Sequence, residues 1–406
     1  MDQNEQEKLE NTAEETQEAN PAAEKRLRRL WIAQRVVLLL ALATVVIGIY
    51  YFRGDIYEAY TRMRTRQQLA QQRENTSYSK IAFEPDSNNI FALFGTNLAV
   101  LNKSSYKLYS PDGEELVTLS FGFTMPAIQT SRDFVAIYDR GARDIYILDN
   151  HSLVETVTSE GKVISVSLND AGYMAVVRED ELYRTAVSVY SPKHKLIYEW
   201  KNSDYYTMSA CVSPQGDKLA VAAYSQADGS FISKVIFFDF SGEEYFSQAS
   251  IDNAIVTNIN FVSDDVLIAV GDTSCTAVRT DGEIVYTYDY GNDMLKSGAE
   301  STQTVLLSFV DRTSGLGAKI VSFGPETYIS TSAADEIREI SIRRGYIAVL
   351  YTQSIQVFDT QLRELTDEIA VSQVRRIIIN ENGLVLLVYA SDAGFIDLVS
   401  AFQDRK

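Results

Sequence analysis

One apolar phrase recurs eight times beyond Tyr78, and its spacing leaves few folds open. It reads LAVL at 98–101, FVAIY at 134–138, YMAVV at 173–177 and KLAVAAY at 218–224. It continues as VLIAVG at 266–271, TVLLSF at 304–309, YIAVLY at 346–351 and LVLLVY at 384–389. Aligned on Ala99, Ala136, Ala175, Ala220, Ala269, Leu307, Ala348 and Leu387, the copies stand about 41 residues apart, the period of a four-stranded propeller blade. Short runs of β-branched and aromatic residues suit pleated strands rather than helices.

The turns repeat in phase with these runs. NDAG at 169–172, SPQGD at 213–217 and NENG at 380–383 precede the apolar strand and join it to an inner strand as a hairpin. A second set follows: KLYSPDGEEL at 107–116, IYILDNHSLV at 145–154, VYSPKHKLI at 189–197, FFDFSGEEY at 237–245, AVRTDGEIV at 277–285 and QVFDTQLREL at 356–365. Their Asp, Asn, Gly and Pro supply turn conformations. Each unit therefore reads as four strands. The expected fold is all-β, an eight-bladed β-propeller. Seven blades is the alternative, because the inner strand of the first unit, near 90–94, is short.

The ends of the repeat array fit a closed ring. The last unit has VRRIIIN, LVLLVY and GFIDLV and then lacks an outer strand, while an orphan β segment, YSKIAFEP at 78–85, precedes the first unit. That segment is expected to complete the last blade and remove the exposed sheet edges of an open array.

The N-terminal part is of another kind. Residues 1–24 are polar and acidic and read as a disordered tail. Residues 25–52 hold a basic flank (Lys25, Arg26, Arg28, Arg29) and then VVLLLALATVVIGIYYF, uncharged from Val36 to Phe52. Counted from Trp31 the run is long enough to span the hydrocarbon core as a helix. Trp31 at one end and Tyr50, Tyr51 and Phe52 at the other suit the interfacial belts, and Arg35 can snorkel to headgroups. A lipid bilayer contact through residues 31–52 is expected. The basic flank favours, narrowly, a cytoplasmic N-terminus and a propeller outside the cytoplasm, as a single-pass protein of the cell membrane; the reverse orientation is the alternative. Residues 53–77 read as a short helical stalk leading to the propeller at 78–406.

Charge and composition narrow the function. The net charge of −18 falls entirely beyond residue 74, since residues 1–74 are balanced. A domain this acidic repels phosphate backbones, which argues against nucleic acid as a partner. The two cysteines, Cys211 and Cys275, make neither a disulfide framework nor a zinc set and read as packing residues. His151 and His194 both fall in the turn before an outer strand and read as solvated turn residues. Carboxylates pair at Glu114–Glu115, Glu179–Glu181, Glu243–Glu244 and Asp264–Asp265, mostly in turns. No P-loop, EF-hand or dinucleotide fingerprint occurs in the sequence. No catalytic residue, cofactor site or metal site is assigned. The longer connections, YSQADGSFIS at 224–233 and VDRTSGLGAK at 310–319, are candidate binding loops.

SPQGDKLAV at 213–221 resembles the hairpin of TolB-like and WD40-like blades, within a superfamily that also holds quinoprotein-like propellers. The Trp-Asp pair that ends true WD40 repeats is absent, and so are the Trp docking motifs of quinone-dependent dehydrogenases and the boxes of sialidases. In layout, with its acidic tail, single span, arginine-rich stalk and eight blades, the chain resembles a domain-of-unknown-function family of membrane-anchored propellers from clostridial-type Gram-positive bacteria. That resemblance implies a propeller and brings no active residues. The expected function is a non-enzymatic scaffold or sensor that binds a protein or an envelope polymer. The alternative is a cell-envelope hydrolase or lyase with carboxylates at the propeller mouth.

Overall fold

A computed structural model describes residues 80–399, apart from 228–229, 243, 312–317 and 334, together with Arg35. The acidic tail, the apolar span and the stalk lie outside the described residues, and so do Trp31, Tyr50, Tyr51 and Phe52. Among the described residues no helix is long and apolar enough to cross a membrane. The described strands all belong to the unit Glu74–Lys406.

These strands form eight sheets of four strands each. Blade 1 is Ile90–Phe94, Asn97–Leu101, Ser105–Tyr109 and Glu115–Ser120, paired antiparallel in that order. Blades 2 to 7 repeat the plan over 126–158, 163–202, 206–252, 256–289, 293–333 and 337–370. Blade 8 is assembled from both ends of the domain. Arg376–Ile379, Leu384–Val388 and Asp392–Asp397 supply three strands, and Ile81–Ala82 adds the outer one, with Ile81 opposite Ala393. The expected latch is therefore present.

Each recurring apolar phrase is the second strand of its blade. Sheets in this ring pack face to face, so these strands are covered on both faces and read as unbroken apolar runs. Met174–Arg178 and Val266–Gly271 are buried throughout. The outer strands alternate instead, as in Ser247–Asp252, because one face looks to solvent. The small residue at the centre of most second strands (Ala99, Ala136, Ala175, Ala220, Ala269, Ala348) is fully or almost fully buried, and it lets neighbouring sheets approach closely.

One hydrophobic cluster fills each of the eight gaps between blades. The closing cluster joins Ile81, Phe83, Leu386, Val388 and Ala393 to Leu98, Val100 and Tyr109 of blade 1. Ile81 is completely buried there, and burial of such a side chain stabilises by about 1.5–3 kcal/mol. Phe83 packs on Phe91 at 5.1 Å, and Lys80 pairs with Asp392 at 3.0 Å. Gly113 completes the seam. It has φ +88°, and a Cβ there would stand 2.9 Å from the Lys80 carbonyl oxygen, so the turn of blade 1 needs glycine to let the latch pass.

Cys211 and Cys275 are free, buried packing residues, and burial pushes both thiols well above their ordinary range. His151 and His194 do lie in the expected turns. The solvated reading fails for His194. It takes the left-handed φ of 57° that glycine holds in sister turns, and its ring lies edge-on to Phe134 at 4.8 Å, beside Glu155 at 3.2 Å. The neighbouring blade covers what the sequence places at a loop tip.

Candidate binding surface on blades 3 and 4

Strand order fixes two faces of the ring. Turns from the first strand to the second open on one face. Connections from the second strand to the third, and from each blade to the next, open on the other.

On that second face, Arg178 ends the second strand of blade 3 and is 1 % exposed. A guanidinium taken out of water needs partners on every side. Here Nη1 donates to Asp180 at 2.9 Å, and Nη2 donates to Glu160 at 2.9 Å and to Glu199 at 2.5 Å. Glu160 comes from the connection between blades 2 and 3, and Glu199 from the outer strand of blade 3, so one side chain ties three chain segments. Burial opposes the charge on Arg178, yet Glu199 and Asp180 hold its pKa above the ordinary value. Asp180 is held below the usual carboxylate range by the Leu182 N–H and by Arg178. Burial works to raise Glu199, but Arg178 and Lys201 outweigh it and hold it low.

The fastening fixes a short loop, 179–184. Asp180 Oδ1 accepts the backbone N–H groups of Leu182 and Tyr183 at 2.9 and 3.2 Å. From below, Gly161 presses against it so closely that a Cβ would fall 1.8 Å from the Glu179 carbonyl oxygen. On this rigid support Leu182 is 87 % exposed and Tyr183 is 40 % exposed. A large aliphatic side chain held out by a charged clamp has no packing role within the ring.

Blade 4 continues the surface. The Arg184 guanidinium lies 4.8 Å over the Tyr206 ring, and Thr185 donates to Thr207 at 2.9 Å. Tyr206 stacks on Tyr224 at 5.5 Å, and Tyr224 meets Phe231 at 6.2 Å. Tyr224 and Phe231 belong to strands of nine residues each, Leu219–Ala227 and Ser230–Phe238, in a hairpin that outreaches its sisters. The inner rim adds to this. In blades 3 to 7 the first ladder slips by one residue near its start, leaving Ile164, Met208, Thr257, Lys296 and Arg338 out of register. Such bulges re-aim a side chain. All five are exposed, apolar in blades 3 and 4 and cationic in blades 6 and 7. Ile164 and Met208 thus open on the same face of the ring as Leu182, Tyr183, Tyr206 and Phe231, which is apolar over blades 3 and 4. Glu181 and Asp204 stand at its edge, exposed and without an ion-pair partner among the described residues.

Of the residues singled out in the sequence, few meet here. Arg35 of the expected membrane anchor is helical and exposed. Candidate loop 224–233 is the tip of the long hairpin, and most of 310–319 lies outside the described residues. Of the carboxylate run at 179–181, Asp180 belongs to the clamp of Arg178, Glu179 faces Lys162 at 3.9 Å and Glu181 is exposed. Asp264 accepts from Gln215, and Asp265 faces Lys218 at 3.5 Å, which ties blade 5 to blade 4. Glu115 pairs with Lys107 at 3.5 Å. Among the described residues no group of three His, Cys, Asp or Glu stands together as a metal site would require. Sequence reasoning missed Arg178, Leu182 and the bulges.

Solved structures with a similar course share little sequence with the chain. A eukaryotic initiation factor is 13 % identical with a TM-score of 0.49, over 78 % of this chain and 86 % of that one. A chain of a mitotic checkpoint complex is 12 % identical with a TM-score of 0.47, over 78 % and 90 %. The β-propeller domain of Cps50 (Swd1) from Myceliophteria thermophila is 10 % identical with a TM-score of 0.48, over 69 % and 99 %. No curated protein matches the chain by sequence. A family pattern does match, across residues 68–398 and so across all eight blades, and by it the chain belongs to a family of unknown function, DUF5711.

Proposed function

We propose that this propeller is a non-enzymatic binding module, held at the cell membrane through residues 31–52 with its ring outside the cytoplasm, and that it takes a protein partner on blades 3 and 4. The observation that carries the reading is the clamp: a buried Arg178 and three carboxylates hold Leu182 rigid and exposed beside a run of aromatic side chains. Rigid apolar and aromatic anchors lose little entropy on binding and dominate protein interfaces. The two unpaired carboxylates at the edge select an apolar segment flanked by Lys or Arg. The uncharged run at 31–52 and its aromatic ends support the membrane placement.

The test is a photoreactive amino acid at position 182 of the full-length chain in native membranes, with one at Leu196, an exposed outer-strand position, as control. A discrete protein adduct from 182 alone, mapped to an apolar segment rich in Lys or Arg, supports the reading. Adducts of equal yield from both positions, or an adduct only to glycan, overturn it. Protease added to intact cells tests the topology: a ring cut only after lysis rules out the proposed orientation.

The hydrolase reading would rest on the opposite mouth of the ring, where arginines and carboxylates do converge. There each carboxylate faces an arginine, Asp170 with Arg343 at 3.9 Å and Glu381 with Arg344 at 3.2 Å. Such pairs suit anion binding better than proton transfer.

A further inference from the structure

A cavity of about 250 Å³ opens on the axis at the face opposite blade 3's clamped loop, between the turns of blades 1, 2, 3, 7 and 8. Its chemistry runs against that of the domain, which is strongly acidic. Three guanidinium groups line it, from Arg132, Arg343 and Arg344, against two carboxylates, Asp170 and Glu381. Arg132 is exposed at the mouth and has no ion-pair partner among the described residues. Arg343 reaches Asp170 from the opposite blade only loosely, at 3.9 Å.

Asn380 supplies a second, independent sign. It lines the cavity and is 3 % exposed. Its Oδ1 accepts the backbone N–H groups of Asn382 and Leu384, both at 2.9 Å. Those two donors fix which end of the amide is oxygen. The Nδ2 group is buried without an acceptor. Buried donors are almost always satisfied, and one that is not points to a missing acceptor. Phe91 and Ile378 give the cavity an apolar wall.

We infer that this axial cavity binds a small organic carboxylate, its oxygens among Arg132, Arg343 and the Asn380 amide and its apolar body against Phe91 and Ile378. The site is independent of the protein-binding surface on blades 3 and 4. Asp170 competes with the ligand for Arg343, so the loose cross-axis pair sets the resting state.

Titration calorimetry of the full-length chain tests this with hexanoate, hexanamide and inorganic phosphate as probes. Hexanoate should bind, with hexanamide at least about tenfold weaker, the difference one charge-assisted hydrogen bond makes. R132Q and N380D should each weaken hexanoate by about tenfold, the second because it puts a carboxylate where the donor stood while keeping the acceptor for the turn. D170N should tighten binding by freeing Arg343, and R363Q, on an exposed outer turn, should change nothing. No binding of hexanoate, equal binding of hexanamide, or an unchanged R132Q overturns the inference. Phosphate binding as tightly as hexanoate overturns the apolar body. Should N380D unfold, R132Q decides alone, since Arg132 is exposed and holds nothing together.

Discussion

Blade 4 and blade 8 follow the same four-strand plan and diverge in what they add to it. In blade 4 all four strands are consecutive, and its central pair runs to nine residues each. The buried part, 219–223 against 235–238, is no longer than in its sisters. The surplus, with Tyr224 and Phe231, extends past the core and contributes surface. Blade 8 has no surplus. Its outer strand is Ile81–Ala82, brought from the other end of the domain. In this ring the core needs only the shared length, so what exceeds it is free to bind, and what falls short of it concentrates stability at one point.

Four experiments would break or sharpen that contrast. Deleting 78–85 should have the largest effect: without the latch, blades 1 and 8 both expose an apolar face, and calorimetry should show loss of the single cooperative transition. An unchanged transition would refute the closure. Ile81→Ala, milder, should cost about 2–5 kcal/mol by chemical denaturation, as a large-to-small change in a filled core does. Arg178→Met should cost about 2–3 kcal/mol and abolish the adduct from position 182, since it leaves three carboxylates facing one another. Leu182→Asp should leave stability within about 0.5 kcal/mol, as for an ordinary surface change, yet eliminate partner capture. If Leu182→Asp unfolds the ring, that side chain is structural and the binding surface lies elsewhere.

The Arg178 clamp also predicts a pH signature. Asp180 and Glu199 titrate below their ordinary values in the folded ring. Their contribution is complete above the ordinary carboxylate range and is lost as pH falls through the lower, folded values. Stability of the native chain should therefore fall on acidification, and the acid limb should flatten in Arg178→Met. An identical acid limb in both proteins would show that the clamp is not the titrating element.

The blade number, the second strands, the turns and the latch were all legible in the chain. A strand buried on both faces shows itself as an apolar run whatever its neighbours are, and turn chemistry is local. Arg178 was not legible. At the end of YMAVVR it reads as a solvated charge, and only the return of Glu160 and Glu199 to the same spot makes it a buried one. Leu182 was hidden within a run of carboxylates. The bulges at Ile164 and Met208 are slips of one residue and carry no compositional mark. His194 sat in the right turn, but the ring of Phe134 that covers it comes from another blade. The axial cavity is also a tertiary product, since its arginines come from blades 2 and 7.

The latch also imposes an order in time. Ile81 is synthesised before every other strand of the ring, and its partner Ala393 belongs to the last. At synthesis rates of about 5–20 residues per second, the closing strand must wait on the order of tens of seconds for its place to exist. During that interval seven blades can form while the eighth gap stays open, with Leu98 and Val100 uncovered. Contacts so distant along the chain form slowly, so nascent rings of this design pass through a stage in which the seam is the part most open to chaperones, proteases or a second chain.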